Sequence, residues 1–518
     1  SADVTLTNNA TSNAYATVVN KKADLGYVSI GLTTVYAYAD GTFDTTLDIG
    51  EKTADVKSIT INNNYGSHAT AFSGVATGGL GAHAVDASLA VVLARIGSRV
   101  TGGIMGSGHV NAAGKVAVAV TGTGRAYATV KSPTVSLNGI SVAVNYVSAE
   151  LAGTQDAYIK DAAVTSAGTT VESKFNENVE TGAEAIIGAA GEAGKSLSLS
   201  GVAVDANTVV ARANQTVRAF TDGASFLGDT NDVTVRASGR TTAKAGVEKG
   251  SSVSLVGVGL VVAIADAAGT FEAFVTGGKT NARTLTVDTD YYADANATSA
   301  QPAGGVKMAL ASVDTNIATA KVTTTARAGL GRFGEHGVSG TGDIIASGDI
   351  TVRANGEAKA RANIDGAILD ASGIKVGVNV TNAELSANQE AYAGGDHITA
   401  GNLTVLSLFN VKDSDAKYEN GRPNTPDIDK TLGAIATVGS NGGAAISGAS
   451  VTVNTANATS NAAVRSTIYG GLGMDITGTT SATTYGTSYA SADINEPKFS
   501  GSIYNVGVNH TNASASGT

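Results

Sequence analysis

The chain has 518 residues, including 65 glycines and 5 prolines but no cysteine or tryptophan, and its formal net charge is −10. The absence of cysteine excludes disulfides, thiolate metal sites and cysteine nucleophiles. Abundant glycine without a Gly-X-Y period excludes collagen, and basic residues that form no block argue against nucleic acid as a partner.

Hydrophobic residues make up 42% of the chain and aromatic residues only 5%, so the predicted core consists mainly of Ala, Val, Gly and Ile. The most apolar run, residues 254–269, is interrupted by Asp266 before it reaches the roughly 20 residues of a membrane helix. We therefore predict no membrane span. Because the chain starts and stops within its own pattern, we expect a piece of a longer repetitive protein.

Taken in chain order, the sequence repeats one pattern about nine times, at intervals of roughly 50 to 65 residues with one longer interval. The first apolar residues of these repeats are predicted to be Val4, Ile59, Val116, Val171, Val233, Leu285, Ile350, Leu403 and Ile476. The fourth copy is the weakest, because Glu177 falls on its apolar parity. The long interval contains residues 412–430, a charged, proline-containing segment that we interpret as an exposed loop insertion.

Each repeat begins with a long amphipathic strand. VTVRASGRTTAKAGVE, residues 233–248, alternates between two faces over its whole length, and residues 350–365 do the same. This alternation predicts one buried face and one solvated face. The solvated stripe of the first stretch is predicted to contain Arg236, Arg240, Lys244 and Glu248.

The second half of each repeat is apolar on both parities, as in residues 138–147, 254–265 and 373–380. Such a segment predicts a strand that is covered on both faces. An aromatic residue follows it at a recurrent position, and in stacked coils these residues would form a ladder. The predicted structural aromatic ladder consists of Tyr158, Phe220, Phe274 and Tyr392. Asn62, Asn63 and Asn64 are candidates for amide ladders at a turn.

No long segment has a 3.6-residue period, so the helices that usually connect parallel strands are not predicted. The sequence therefore predicts an all-β fold, a single continuous parallel β-solenoid (β-helix) over residues 1–518. One repeat could form one wide coil or three ordinary coils, which gives a rod of roughly 43 Å or 130 Å. The uninterrupted alternation favours long strands and one wide coil, and Gly239 is the position where a corner would otherwise lie.

Few residues carry recognisable chemistry. The six histidines are scattered, and phosphate-loop, metalloprotease and EF-hand motifs do not occur. Asp229 with Asp232 at a turn, and five acidic residues of the insertion, are candidate calcium ligands, although solvated acidic loops are the preferred interpretation. The insertion candidates are Asp413, Asp415, Glu419, Asp427 and Asp429. We expect no other cofactor.

Asp288 and Asp290 are the best pair of carboxylates for glycoside cleavage. They would lie on one polar strand face, where surface Asp is common, and the chain offers no tryptophan as a sugar platform. We therefore expect no catalytic residues and no enzymatic activity.

The succession VTVRASGRTTAKA, SLVGVGLVVAIADAAGTFEAFVTGG and LTVDTD, within residues 233–290, resembles the repeat regions of very large bacterial filamentous adhesins, the haemagglutinin-like and leukotoxin-type group. The likeness spans nearly the whole chain, but its motifs are degenerate. The resemblance implies a right-handed β-solenoid shaft that is exported to the cell surface. No residue matches a lytic or catalytic motif, so a toxin activity is not carried over.

The leading hypothesis is a structural, extracellular shaft of a bacterial adhesin or filament. It would associate with itself end to end or laterally, and the insertion 412–430 is the candidate region for adhesion to glycans or proteins of host or neighbouring cell surfaces or matrix. A second hypothesis is a glycan-binding or glycan-degrading β-helical passenger or tailspike. A third, an ice-binding solenoid, requires Thr-x-Thr in every coil, and here that motif is sporadic.

Overall fold

A computed structural model of the chain contains only β-strands as regular elements in the part that it describes. The described residues are 2–20, 23–75, 80–132, 135–178, 182–189, 197–228, 231–248, 251–300, 306–331, 342–366, 369–411, 418–419, 422–423, 431–440, 444–469, 473–495 and 499–518.

The strands are β1 (Asp3–Asn20), β2 (Ala23–Asp48), β3 (Thr53–Val56), β4 (Ser58–Val75), β5 (Leu80–Met105), β6 (His109–Ala112), β7 (Lys115–Ser132), β8 (Val135–Lys160), β9 (Ala163–Thr165), β10 (Gly168–Phe175), β11 (Ala183–Ala189), β12 (Leu197–Asp222), β13 (Ser225–Phe226), β14 (Asp232–Glu248), β15 (Ser251–Thr276), β16 (Thr280–Ala282), β17 (Thr284–Ala300), β18 (Val306–Leu330), β19 (Asp343–Ala346), β20 (Ile350–Gly366), β21 (Leu369–Ala393), β22 (His397–Ala400), β23 (Leu403–Phe409), β24 (Tyr418–Glu419), β25 (Arg422–Pro423), β26 (Gly433–Ser440), β27 (Ala444–Ile468), β28 (Met474–Ile476), β29 (Thr480–Gly486), β30 (Ala490–Asn495) and β31 (Phe499–Gly517).

These strands form three parallel sheets that the chain visits in a fixed order. Sheet A has 12 strands, from β1 to β29 and β30; sheet B has 9, from β2 to β31; and sheet C has 8 short strands, from β3 to β28. One repeat passes once through each sheet and therefore makes one coil. The predicted all-β parallel solenoid is confirmed. Within the described residues only the pair β24 and β25, in the predicted insertion, is antiparallel.

Each coil is wide because its strands in sheets A and B are long. β14 is in register with β17 from Asp232 opposite Thr284 to Glu248 opposite Ala300, without a break. Gly239 lies inside this strand and makes no corner. With strands about 4.8 Å apart, the nine coils extend roughly 43 Å along the axis, the shorter of the two predicted lengths.

Seven of the nine predicted repeat starts lie in one column, but two predictions were wrong. In the fourth coil the residue in register with Val116 and Val233 is Thr169, two positions before Val171. Thr169 points inward and is buried, and its hydroxyl lies 2.9 Å from that of Ser166, so the apolar signal is missing there. In the ninth coil Ile476 belongs to β28 of sheet C, and Thr480 occupies the column instead.

The core lies between sheets A and B. In the fifth coil the alternate residues from Val233 to Val247 face inward from sheet A, and those from Val261 to Val275 face inward from sheet B. Most of these side chains are Ala or Val, because two sheets about 10 Å apart leave room for little more. The composition of the chain is therefore explained by a thin interior.

The middle of the core alternates between an aromatic ring and glycine from coil to coil. The column in sheet A reads Ala10, Tyr65, Gly122, Phe175, Gly239, Tyr291, Gly356, Phe409 and Gly486. Each glycine leaves space for a neighbouring ring or side chain: a Cβ on Gly122 would lie 2.2 Å from a ring carbon of Tyr65. Rings from sheet B stack on two of these aromatic residues, as Phe271 does on Tyr291 with centroids 5.3 Å apart. The core therefore has a period of two coils.

The prediction that the apolar second half of each repeat is covered on both faces was wrong. Along β15 side chains are buried only from Val261 onward, and Leu255 is 63% exposed. Between residues 256 and 260 the apolar side chains point outward, at Val256, Val258 and Leu260, while Gly257 and Gly259 lie on the other face. The period of two persists, but the apolar face changes sides where the strand leaves the core.

The outward columns that contain Val256, Val258 and Leu260 form a continuous surface, which we call the apolar strip. In the column of Val258 the other residues are Ile30, Ala87, Val142, Val204, Val313, Val376, Val451 and Val506. The column of Val256 is also apolar in every coil, and Thr315 is the single polar residue in the column of Leu260. The strip thus runs along all nine coils of sheet B.

Candidate interaction surfaces

The outer face of sheet A carries charges whose sign alternates along the solenoid axis. Glu172, Arg236, Asp288 and Arg353 are in register in four successive coils. Asp288 pairs with both neighbours, since its carboxylate oxygens lie 3.3 Å from Arg236 Nε and 2.9 Å from Arg353 Nε. Like charges at this spacing would repel, so alternation lets charged side chains stack. Of the predicted solvated stripe along β14, Arg236 belongs to this ion-pair ladder, and Lys244 pairs with Glu184 in another column.

Asp288 and Asp290, the candidate pair for glycoside cleavage, lie together on this face, and both carboxylates contact arginine side chains of the ladder. Asp290 accepts a hydrogen bond from Asn355 Nδ2 at 3.1 Å and contacts Arg236 Nη2 at 3.4 Å. Burial raises the pKa of Asp290, and repulsion by Asp288 adds to that increase. Asp288 is clamped between two guanidinium groups, which is not the setting of a nucleophile or a general acid facing substrate.

An aromatic ring interrupts the charges in a nearby column. Tyr292 lies between Arg240, whose guanidinium carbon is 4.4 Å from the ring centroid, and Lys359, whose ammonium nitrogen is 5.2 Å away. Lys359 also pairs with Asp294 at 3.0 Å. Cations on an aromatic face are stabilised by the ring quadrupole, so this cluster is another case of side chains that stack between coils.

A second alternating ladder lies on sheet B. Asp156, Arg218, Glu272 and Arg327 are in register in successive coils, and the column continues with Glu390. Arg218 donates two hydrogen bonds to Asp156, at 2.7 and 2.8 Å. Arg327 lies 3.5 Å from Glu272, and burial raises the pKa of Glu272 although both arginines oppose that increase.

The four recurrent aromatic residues lie in the next outward column of sheet B. The rings of Tyr158, Phe220 and Phe274 stack at centroid distances of 5.6 and 5.1 Å. Gly329 takes the following position in the column, and the ring of Tyr392 from the coil beyond covers it. Tyr392 donates a hydrogen bond from its hydroxyl to the carbonyl of Gly331, at 2.6 Å. Three of the four residues are thus directly stacked, and the fourth lies across a glycine.

Asparagine side chains also bond between coils, but the predicted turn was wrong, because Asn62, Asn63 and Asn64 lie within β4. Asn64 donates to Asn9 Oδ1 at 3.0 Å on the outside of sheet A. The adjacent Asn63 points inward instead, and its amide donates to the carbonyls of Phe43 and Thr101 at 2.8 Å. Asn63 therefore ties sheet A to the backbone of sheet B across the core.

A longer asparagine ladder, which the sequence reasoning missed, closes the edge of the core in the column of Val261. Asn145 donates to Asn207 at 2.8 Å. Four more side chains continue this column, with hydrogen bonds of 2.8, 2.8 and 2.9 Å between successive members: Asn316, Asn379, Asn454 and Asn509. The sequence signal for this ladder was an asparagine at the same position within the apolar segment of several repeats, such as Asn145 in residues 138–147 and Asn379 in residues 373–380.

Besides the short break between β29 and β30 in the ninth coil, sheet A is interrupted at two equivalent places, four coils apart. β10 ends at Phe175 and β23 ends at Phe409, both fully buried, and each is followed by an asparagine with positive φ. Asn176 accepts a hydrogen bond from the amide of Gly124 at 2.8 Å and donates to its carbonyl at 3.0 Å. Asn410 does the same with Ala358, at 2.7 and 3.2 Å.

The side-chain amides of Asn176 and Asn410 replace the backbone N–H and C=O of a strand residue. The neighbouring coil therefore keeps its hydrogen bonds where the chain leaves sheet A. The interruptions explain why Glu177 fell on the apolar parity, because the strand has already ended at Phe175. After each interruption the chain re-enters sheet A at a glycine. Gly182 lies next to Thr242 and Gly433 next to Lys359, and Thr242 and Lys359 belong to the same outer column. Two equivalent loop positions of sheet A therefore lie on one face, four coils or about 19 Å apart.

A buried glutamine supports each interruption. Gln155 Nε2 donates to the carbonyls of Val120 and Lys174, at 2.7 and 2.9 Å. Gln389 makes the matching bonds to Ala354 and Leu408, at 2.7 and 2.6 Å. The buried phenylalanine, the asparagine with positive φ and the glutamine thus recur together four coils apart. This recurrence indicates a longer repeat of four coils in addition to the repeat of one coil.

Of the calcium candidates, only Asp232 has a described side chain: it lies at the start of β14 and accepts hydrogen bonds from Arg283 Nε at 2.8 Å and Thr284 Oγ1 at 2.7 Å. Asp229, Asp413, Asp415, Asp427 and Asp429 lie outside the described residues, and of Glu419 only the strand position in β24 is described. In the part of the chain that is described, no group of three or more His, Cys, Asp or Glu side chains could hold a metal ion.

Four of the described histidines lie within hydrogen-bond distance of one neighbour each, and for His83 that neighbour is the carbonyl of Gly26, at 3.3 Å. His68 and His109 lie 2.8 and 2.9 Å from the hydroxyls of Thr70 and Thr165, and His397 lies 3.1 Å from Asp475. His336 falls outside the described ranges. Over those same ranges, no helix is long and apolar enough to cross a membrane.

Comparison with known proteins gives no relative: no family model, no curated protein and no solved structure matches the chain. The resemblance to filamentous adhesins therefore stays a prediction.

Proposed function

We propose that this chain is part of the extracellular shaft of a bacterial surface adhesin or filament, and that it holds binding regions at a fixed distance from the cell. The observation that carries the proposal is the coil-to-coil pairing of long strands in one constant register, seen in β14 with β17 and in β15 with β18. Reach grows by adding coils, at about 4.8 Å each.

Stiffness follows from how the coils are joined. Backbone hydrogen bonds run parallel to the axis. A force along the axis is therefore shared by all the hydrogen bonds between two neighbouring coils. The ion-pair, aromatic and asparagine ladders join the same coils through side chains, as Arg218 does with Asp156 and Asn316 with Asn379. A rod held together in this way resists bending without needing a thick core.

Lateral display of loops is the second part of the proposal. The two interruptions of sheet A, after Asn176 and after Asn410, have the same asparagine and glutamine hydrogen bonds, but their loops differ in length. The first loop comprises residues 177–181 and the second residues 411–432. Variable loops on an invariant scaffold are the usual location of binding residues. The insertion 412–430 is accordingly our candidate for adhesion to surface or matrix glycans or proteins.

The experiment that tests the shaft is antibody labelling in the organism that makes the protein. Antibodies raised against this chain should label intact cells, and protease treatment of intact cells should remove the label. Signal that requires permeabilised cells would contradict an extracellular role.

The glycan-degrading alternative has its own assay. The chain is incubated with a panel of polysaccharides, and released reducing ends are compared with those from the variant carrying Asp288→Asn and Asp290→Asn. We expect no release from either protein. Release that the substitutions abolish would replace the shaft proposal with an enzyme.

A further inference from the structure

The apolar strip is an uncovered apolar surface, and none of the surface ladders uses it. Val256, Val258 and Leu260 are 41%, 41% and 39% exposed in the middle coil, and Ile374 reaches 57%. Single exposed apolar residues are ordinary, whereas a contiguous surface of this kind marks an interaction site.

The dimensions of the strip match a stable protein interface. It spans nine coils, about 43 Å, and three columns about 6.6 Å apart, so one copy offers roughly 850 Å². Stable interfaces bury about 800 Å² on each partner. A lone strip is therefore large enough for one stable pairing.

The shape and charge of the strip favour a second copy of this chain over a membrane. The strip is one face of a β-sheet lined by Val, Ile, Leu and Ala, and such faces pack on each other about 10 Å apart in β-sandwiches. It carries no charged residue, and the formal net charge of the chain is −10, which opposes attraction to an anionic lipid surface.

On the side toward the core of sheet B, two mixed columns that contain Val262 and Ile264 separate the strip from a third column of alternating charge. That column has Arg95, Glu150, Arg212, Asp266 and Lys321 in register, and it would form the polar rim of an interface. Arg95 lies 3.7 Å from Glu150. Two strips in contact bury their apolar columns and leave these charges at the edge in water.

We propose that two copies of this chain pair face to face through the apolar strip of sheet B. The paired solenoids form a double shaft, in which the outer face of sheet A and its loop positions stay exposed on both copies. The inference goes beyond the proposed shaft function and does not depend on where the protein is located.

The first test is the mass of the purified chain by sedimentation equilibrium. The strip variant carries Val204→Lys, Val258→Glu and Val313→Lys, with alternating signs so that the new charges do not repel along the column. The control carries Thr216→Lys, Thr270→Glu and Thr325→Lys, on the outer face of the same three strands. We expect a dimer for the chain and the control and a monomer for the strip variant, with unchanged far-UV circular dichroism.

A second test does not depend on how well the charged variant folds. Val258→Cys and Thr270→Cys each introduce one thiol into a chain that has none. Val258 lies in the middle coil and the middle column, so full overlap of two strips brings its two copies together. A short bis-maleimide should crosslink Val258→Cys into dimers and leave Thr270→Cys monomeric.

Several results would overturn the pairing. A monomeric chain at high micromolar concentration would do so, as would a strip variant that still dimerises or equal crosslinking of the two cysteine variants. A monomer that floats with phosphatidylcholine vesicles, while the strip variant does not, would assign the strip to lipid instead.

Discussion

The ring of Tyr291 lies across Gly356 of the next coil, so that a Cβ on Gly356 would be 2.0 Å from a ring carbon of Tyr291. Tyr291 is fully enclosed, and its hydroxyl lies 3.1 Å from that of Thr324 on sheet B. The ring therefore cannot move aside, and the alternation of aromatic residue and glycine is a packing requirement.

Gly356→Ala should consequently destabilise the solenoid by about 1–3 kcal/mol, the usual cost of overpacking a core. The control is Gly246→Ala in β14, where a Cβ has no atom within 4 Å, and we expect a change of about 0.5 kcal/mol or less. Guanidinium denaturation followed by circular dichroism gives both values. Equal midpoints for the two variants would contradict the packing argument.

Asn410→Ala should cost about 2–4 kcal/mol, because it removes both hydrogen bonds to Ala358 and places Ala at a φ of 53°. Asn410→Gly should recover about 1 kcal/mol, since glycine accepts positive φ but cannot bond to Ala358. The exposed Asn13→Ala serves as control in the same denaturation measurement. If the Ala and Gly variants unfold alike, backbone conformation contributes nothing at this position.

Asp288→Arg places three arginines in one column, next to Arg236 and Arg353. We expect a loss of about 2–4 kcal/mol, because the side chain of Asp288 is only 7% exposed and both partners lose their counter-ion. Thr286→Arg, one outward column away, places an arginine between threonines without removing a counter-ion and should change stability by about 0.5 kcal/mol. Raising the salt concentration should narrow the difference between the two variants.

Stability should fall as pH rises from about 4 toward neutrality. Burial raises the pKa of Asp266, Glu272 and Asp290 above the ordinary carboxyl value. The folded state then binds more protons than the unfolded state in that range, so its advantage is complete below the unfolded pKa and is lost as pH passes the folded pKa. Asp290→Asn should flatten this decline, measured as the denaturation midpoint between pH 4 and pH 7. A decline of unchanged steepness in the variant would be the contrary result.

We predict that the insertion can be replaced by a shorter loop without loss of the coil. Replacing residues 411–432 by residues 177–181 gives the eighth coil the loop of the fourth, between the matching pairs Asn176 and Gly182, and Asn410 and Gly433. We expect the same circular dichroism and melting temperature within a few degrees, together with loss of attachment of protein-coated beads to cells or matrix. The matched control carries a scrambled sequence at 412–430. If the transplant binds as well as the original chain, adhesion does not depend on the insertion.

The sequence by itself determined the class of the fold. A strict two-residue period over residues 233–248, its return at 350–365 and the absence of any helical period leave a solenoid as the way to join parallel strands. The inward and outward faces of the amphipathic strands follow from the same alternation, and so does the position of Arg236 on the outer face. These features are local, because a pleated strand fixes the side of each residue from its neighbours.

Only the tertiary structure decided which residues meet across coils. The register places Asp288 between Arg236 and Arg353, and Gly356 beneath Tyr291, although each partner is more than fifty residues away in the chain. Alternation along one strand says nothing about the column that crosses it, so charge order, the glycine positions and the asparagine ladder could not be read from one repeat. The outward turn of the apolar face before Val261 likewise depends on where sheet A ends opposite sheet B, which is a property of the folded coil.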